Sequence, residues 1–169
     1  MATIIPHKKK YDRERYIYIS RIQGACFLLM AAYFPVKLDD YCSYYNINLF
    51  HLSLPCIFCG AYCDLQDLAS FFMKGLNLVW RNVRAHACCT KCILLSAKHE
   101  YEKHCICVVH ASSLELLTQR GLKDIPVRCV RCYKLLDTAE KFDCAAADEQ
   151  FSLVRSSWRG PCRSCIRKI

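Results

Sequence analysis

Four C-x-x-C pairs carry the chemistry that this chain could do: Cys56/Cys59, Cys89/Cys92, Cys129/Cys132 and Cys162/Cys165. Each short turn brings two thiolates within reach of one ion, at about 2.3 Å for zinc, and leaves backbone N–H groups free to bond the sulfurs. Two such pairs complete a four-cysteine site. That site is closed, with no position left for water, so it staples structure and does not act as a Lewis acid. The stretch "ACCTKC" poses a choice among three cysteines, and the spacing settles it on Cys89 and Cys92, with Cys88 left over. The first two pairs enclose residues 60–88 and the last two enclose 133–161, 29 residues each, with residues 93–128 between the units. Equal gaps are an internal repeat with an offset of 73 residues, Cys56 to Cys129. A disulfide scaffold in a secreted protein would scatter its spacings instead.

Seven cysteines remain outside these sites: Cys26, Cys42, Cys63, Cys88, Cys105, Cys107 and Cys144. They read mostly as small buried apolar residues, and so many free thiols suit a reducing compartment. The formal charge of +9 falls to about +5 once eight thiolates and two zinc ions are counted. Basic residues cluster late, at Arg155, Arg159, Arg163, Arg167 and Lys168, with no acid after Glu149. Such a patch suits nucleic acid or an acidic peptide. A zinc-dependent DNA-binding transcriptional regulator is therefore the alternative reading. His99, His104 and His110 lie near Cys105 and Cys107, and are expected to be ordinary helix residues rather than a third metal site. There is no G-x-S-x-G, P-loop or H-E-x-x-H, and no enzyme is expected.

Elements must hold these ligands in place. Asp64 can cap a helix that Gly75 stops, with Leu65, Leu68 and Phe72 on one face. Residues 76–83 alternate like a strand, so each 29-residue loop has room for a helix and a hairpin. Residues 92–109 read as helical, and a second helix start is expected at Ser112 with Glu115 as a capping box, stopping at Gly121. Pro126 breaks the chain, after which "LLDTAEKF" and "FSLVRSSW" repeat the helix-then-strand scheme. The class is α+β: two small four-cysteine zinc domains, each with short helices and a small antiparallel sheet, joined by a linker helix. The expected limits are 1–40 for an N-terminal extension without fixed structure, 41–92 for the first zinc domain, 93–125 for the linker, and 126–169 for the second zinc domain. The apolar run 25–36 after "HKKKYDRERY" is too short to span a bilayer, and a secreted product would conflict with the free thiols. Each unit is too small to bury a stable core unaided, so zinc supplies much of its folding free energy.

The motifs "LPCIFC", "LVWR", "CCTKC", "IPVRCVRC" and "WRGPCRSC", in this order and spacing, resemble papillomavirus early protein six from about Tyr41 to Ile169. The resemblance implies a non-enzymatic adaptor with two structural zinc ions, working in host nucleus and cytoplasm. Its zinc domains and linking helix would enclose a pocket for acidic Leu-x-x-Leu-Leu helices of a HECT-type ubiquitin ligase or a Notch transcriptional coactivator. It would redirect degradation of tumour-suppressor and pro-apoptotic proteins and alter transcription and innate immunity. By position relative to the ligands, the pocket's apolar residues are Ile57, Phe58, Leu76, Val79 and Ile93, and its basic residues Arg81, Arg128 and Arg155. Ser157 stands where a well-studied branch has another arginine. Weak self-association and DNA binding are further family traits. The ending "IRKI" departs from the tail that PDZ domains take up, so no PDZ binding is expected, nor any membrane. Counted from Met30, Cys56 falls where the family places its first ligand, which suggests Met30 as a start site.

Overall fold

The computed structural model describes residues 34–166, nearly all of them within a unit that begins at Val36. The N-terminal extension up to residue 33, the Met30 start, Arg167, Lys168 and the end of the chain lie outside the described residues.

Among the described residues the first helix, α1 (Leu38–Tyr45), starts three residues before the domain boundary expected at 41, and its Leu38 is 2% exposed in the first core. A two-strand ladder comes next, β1 (Leu54–Pro55) with β2 (Tyr62–Cys63), antiparallel. Asp64 then caps α2 (Leu65–Met73), its carboxylate accepting from the Asp67 N–H at 2.8 Å. The buried face of α2 is Leu68 and Phe71, while Leu65 and Phe72 are exposed, so the apolar stripe is rotated from the expected one. The expected strand over 76–83 shortens to β3 (Val79–Arg81), because Asn82 and Val83 take left-handed conformations and turn the chain into β4 (Arg84–His86).

Helix α3 (Thr90–His104) begins at the second ligand pair, with Cys89 as its N-terminal flanking residue. It ends five residues earlier than expected. Residues 105–109 are instead β5 (Cys105–Val109), because their β-branched side chains pair with a strand of the second unit and Val109 packs on its core. The linker is therefore not purely helical. Next come α4 (Ala111–Thr118) and a 3-10 turn at Leu122–Asp124. The Ser112 capping box does not form: Ser112 lies inside α4, and the Glu115 carboxylate accepts from the Leu122 N–H at 2.6 Å. The helix closes at Gln119, left-handed, rather than at Gly121.

The second unit comprises β6 (Val127–Cys129), α5 (Thr138–Ala146), β7 (Phe151–Val154), β8 (Ser157–Gly160) and α6 (Arg163–Ile166). Its sheet runs β5-β7-β8-β6, antiparallel except that β6 lies parallel to β8. Two cores result, one around Leu38, Leu68, Phe71 and Ile93, the other around Leu114, Ile125, Val127 and Phe151. Among the described residues no helix is long and apolar enough to cross a membrane.

Candidate metal centres and the junction beside them

In both units the four sulfurs converge. Those of Cys56, Cys59, Cys89 and Cys92 all lie within 4.8 Å of one another, and so do those of Cys129, Cys132, Cys162 and Cys165. A tetrahedron with 2.3 Å bonds has edges of about 3.8 Å. The Cys59–Cys89 sulfurs are 3.9 Å apart and the Cys132–Cys162 sulfurs 3.8 Å, so both donor sets fit a zinc ion held by four thiolates. Backbone N–H groups point at the sulfurs, Cys89 N to Cys56 Sγ at 3.5 Å and Arg131 N to Cys129 Sγ at 3.4 Å. Burial pushes the Cys56 thiol up, but backbone N–H groups of Cys59, Cys89 and Phe58 outweigh it and bring the thiol down to about 6. A hydrogen bond from the Cys132 thiol takes the Cys129 thiol down to about 4 against burial, with backbone N–H groups of Arg131, Cys132 and Cys162 adding to the effect. Without a cation, burial raises Cys92, and Cys165 to about 12.

The elements that place the ligands obey the 73-residue offset far beyond the cysteines. Ahead of each second pair runs a segment parallel to the first: Cys56 bridges Ala87, and Cys129 pairs with Gly160. The turn after the first pair needs a positive φ in both units, supplied by Gly60 (76°) and Tyr133 (63°). Asp64 and Asp137 cap the helices that come after. Three residues on, a carboxylate reaches across to the second pair. Asp67 Oδ1 accepts from Thr90 N at 2.7 Å, and Glu140 Oε1 from Arg163 N at 3.3 Å. Both donors immediately follow a ligand, Cys89 or Cys162. Reading the sequence by its cysteines alone misses Asp67 and Glu140, whereas extending the offset to acidic residues would have found them.

Cys88 is buried beside the cluster but outside its four converging sulfurs, its Sγ donating to its neighbour's carbonyl at 3.6 Å. Cys63 and Cys144 are buried too, whereas Cys105 is exposed. His110 pairs with Asp148 at 3.0 Å. Among the described residues, the metal-competent groups are the two four-cysteine sets.

Beside the centres, side chains of both units meet. Arg128 of β6 donates through Nη1 to the carbonyls of Lys74 (3.0 Å) and Tyr133 (2.8 Å), and through Nη2 to that of Gly75 (3.4 Å). It thus satisfies carbonyls at the end of α2. Glu100 of α3 faces two more guanidinium groups, Arg155 at 3.6 Å and Arg159 at 3.5 Å. Arg159 also stacks on the Tyr133 ring at 4.6 Å. Burial and Glu100 push the Tyr133 phenol up, and burial with Arg159 nearby holds Arg128 below its usual value. Of the expected pocket residues, Phe58, Val79, Arg81 and Arg155 are exposed, while Ile57, Leu76 and Arg128 are half-buried. Ile93 is 2% exposed and belongs to the first core, so it offers a ligand no surface. Of the expected basic patch, the described residues are paired within the chain: Arg155 and Arg159 face Glu100, and Arg163 holds Asp143 at 2.6 Å.

A family model described as Early Protein (E6) matches residues 56–165. Protein E6 of Human papillomavirus 65 is 48% identical over 134 residues, covering 79% of this chain and 96% of that protein. Protein E6 of Human papillomavirus 4 is 46% identical over 134 residues, with the same shares covered. Protein E6 of Human papillomavirus type 8 is 36% identical over 131 residues, covering 78% of this chain and 84% of the relative. A solution structure of the C-terminal zinc-binding domain of HPV51 oncoprotein E6 aligns at 29% identity, over 37% of this chain and 82% of that one, with a TM-score of 0.35.

Proposed function

The chain belongs to the papillomavirus E6 family, and on that footing we propose that it is a non-enzymatic viral adaptor. It holds two structural zinc ions, one per four-cysteine set, and captures host proteins through acidic Leu-x-x-Leu-Leu helices. The captured class is a HECT-type ubiquitin ligase or a Notch transcriptional coactivator, in host nucleus and cytoplasm. The outcome is redirected degradation of tumour-suppressor or pro-apoptotic proteins, with altered transcription, apoptosis and innate immunity.

One observation supports this reading most: at the junction Arg155 and Arg159 share a single carboxylate, Glu100, and Arg128 lies near Arg159. Two guanidinium groups thus share one carboxylate charge, and the third is held by backbone carbonyls. Exposed Phe58, Val79 and Arg81 and half-buried Ile57 and Leu76 belong to the first unit, which Arg128 joins to the second. An amphipathic helix with leucines on one face and acids at its edge has the chemistry to answer both features. Because Arg128 also holds backbone carbonyls of the first unit, replacing it would loosen the junction itself. Arg155 is the cleaner probe, since its side chain is 56% exposed.

Fluorescence-polarisation titration of the zinc-loaded chain with such peptides tests the reading. Binding should vanish when the leucines become alanine. Arg155→Ala should weaken it by about 1 kcal/mol, the value of one screened charge-assisted contact, with zinc content unchanged. Failure of peptides from both partner classes to bind would overturn the proposal. Tight, steeply salt-dependent duplex DNA binding instead would favour the regulator alternative.

A further inference from the structure

We propose that a row of aromatic rings on α1 docks a basic, proline-rich segment of a partner protein in the polyproline II conformation. Four rings are linked in the order Trp80, Tyr41, Tyr45, Tyr44, with successive centroids 5.9, 4.7 and 4.9 Å apart. Tyr41 and Tyr45 lie one helical turn apart on α1, and Tyr44 meets Tyr45 edge to face. Trp80 stands between Val79 and Arg81 on β3, so strand alternation turns its ring to the face opposite theirs. The row is therefore separate from the leucine pocket proposed above, to which Val79 and Arg81 belong, and does not depend on it. Its inner end is anchored, because Trp80 and Tyr41 pack on the first core. Its outer end is open, with Tyr44 65% and Tyr45 40% exposed.

Charge and hydrogen bonding select the occupant. Asp39 and Asp40, in the first turn of α1, are exposed, and among the described residues no base pairs with either. Lys37, just before them, donates instead to the Gly75 carbonyl at 3.3 Å. Asp40 stands one turn before Tyr44, so an acid and an open ring share one edge of the helix. That edge repels phosphate, which argues against a nucleic-acid strand stacked on the rings. It argues equally against a second copy of this chain, since a two-fold contact would set the same acids of both copies face to face. A guanidinium suits both features, pairing with a carboxylate and stacking on Tyr44. The hydroxyls of Tyr44 and Tyr45 have no hydrogen-bond partner among the described residues. A polyproline II segment supplies acceptors for them, because its carbonyls make no internal bonds, and its proline rings lie against aromatic faces. A helix brings its carbonyls already bonded, and an added strand needs a sheet edge that α1 does not offer.

Fluorescence-polarisation titration of the full zinc-loaded chain with a labelled Arg-Pro-Leu-Pro-Pro-Leu-Pro peptide tests this. Saturable, sub-millimolar binding is expected. Replacing the peptide's prolines by alanine should abolish it, and replacing its arginine by glutamine should weaken it about threefold, the worth of one exposed ion pair. In the chain, Tyr44→Ala should weaken binding about fivefold, the worth of one ring contact. Asp39→Asn combined with Asp40→Asn should erase the preference for the arginine peptide over the glutamine one. Zinc content and circular dichroism should stay unchanged in these variants, whose altered side chains are exposed. An excess of a Leu-x-x-Leu-Leu peptide should leave the probe bound. No saturable binding, binding indifferent to Tyr44→Ala, displacement of the probe by the leucine peptide, or Tyr44-dependent binding of oligothymidylate in its place would overturn the proposal.

Discussion

Replacing Glu140 by alanine should release the zinc of the second unit selectively. The carboxylate is 2% exposed and does three things at once. It accepts from Lys134 Nζ at 2.7 Å and from Arg163 N at 3.3 Å, and it returns the capping box by accepting from Asp137 N at 3.2 Å. Alanine leaves an ammonium without its partner, the Asp137 N–H without its acceptor and a loosened Cys162/Cys165 turn, while the Asp137 cap itself remains. Breaking a buried pair costs about 3–5 kcal/mol. Lys134 is 34% exposed and recovers part of that from water, while the unpaired Asp137 N–H adds about 1 kcal/mol. A net loss of about 3 kcal/mol is expected, equal to roughly a hundredfold in zinc affinity at that site. Glu140→Gln keeps the shape and loses chiefly the ion pair, for about 1 kcal/mol. Competition with a graded series of chelators, read by native mass spectrometry, resolves the two ions. One site should weaken by the stated factor while the other stays put, and Asp67→Ala should produce the mirror pattern. Equal weakening of both sites by Glu140→Ala, or no difference between its alanine and glutamine variants, would refute the reasoning.

Other residues give further expected outcomes. Cys89→Ser should cost the first zinc ion while Cys88→Ala keeps both, since Cys88 lies outside the four-cysteine set; metal analysis of the two variants decides. Lys141 is 4% exposed and donates to the carbonyls of Lys123 (2.6 Å) and Ile125 (3.1 Å). Lys141→Ala strands both acceptors and should lower stability by about 2 kcal/mol in urea unfolding. Burial, with Glu149 and Asp143 nearby, pushes the Cys144 thiol from 9.0 up to about 11. A folded value above the unfolded one means that this contribution is complete below pH 9 and lost as pH rises through 11. Alkaline unfolding of the zinc-loaded chain should therefore be shallower over that window in Cys144→Ala, and at about pH 8 iodoacetamide should label exposed Cys105 well before Cys144.

The ligands and their grouping were legible because cysteine spacing encodes the tetrahedron almost directly, and Asp64 announced its helix by chemistry local to the chain. What escaped depends on contacts distant in sequence. Residues 105–109 carry no strand signal strong enough to end a helix; they become β5 because β7, far along the chain, offers a ladder. Ser112 and Glu115 spell a capping box, yet the 3-10 turn at Leu122 claims the carboxylate. Ile93 aligns by position with a pocket but packs into the first core, since α3 turns that face toward α2. The repeat itself was visible in eight cysteines and hidden elsewhere, because its other members are backbone roles filled by different side chains. Gly60 and Tyr133 share a left-handed turn, Leu68 and Lys141 a buried helix position, and Asp67 and Glu140 a bond to the second ligand pair.

Native mass spectrometry of the full chain, expressed with zinc and kept reduced, tests the twin-module architecture most directly. The expected spectrum shows two zinc ions per chain, falling to one in Cys56→Ser and to one in Cys129→Ser, with the surviving ion resistant to the same chelator as in wild type. A single ion in wild type, or loss of both ions from either variant, would contradict two separately closed four-cysteine centres.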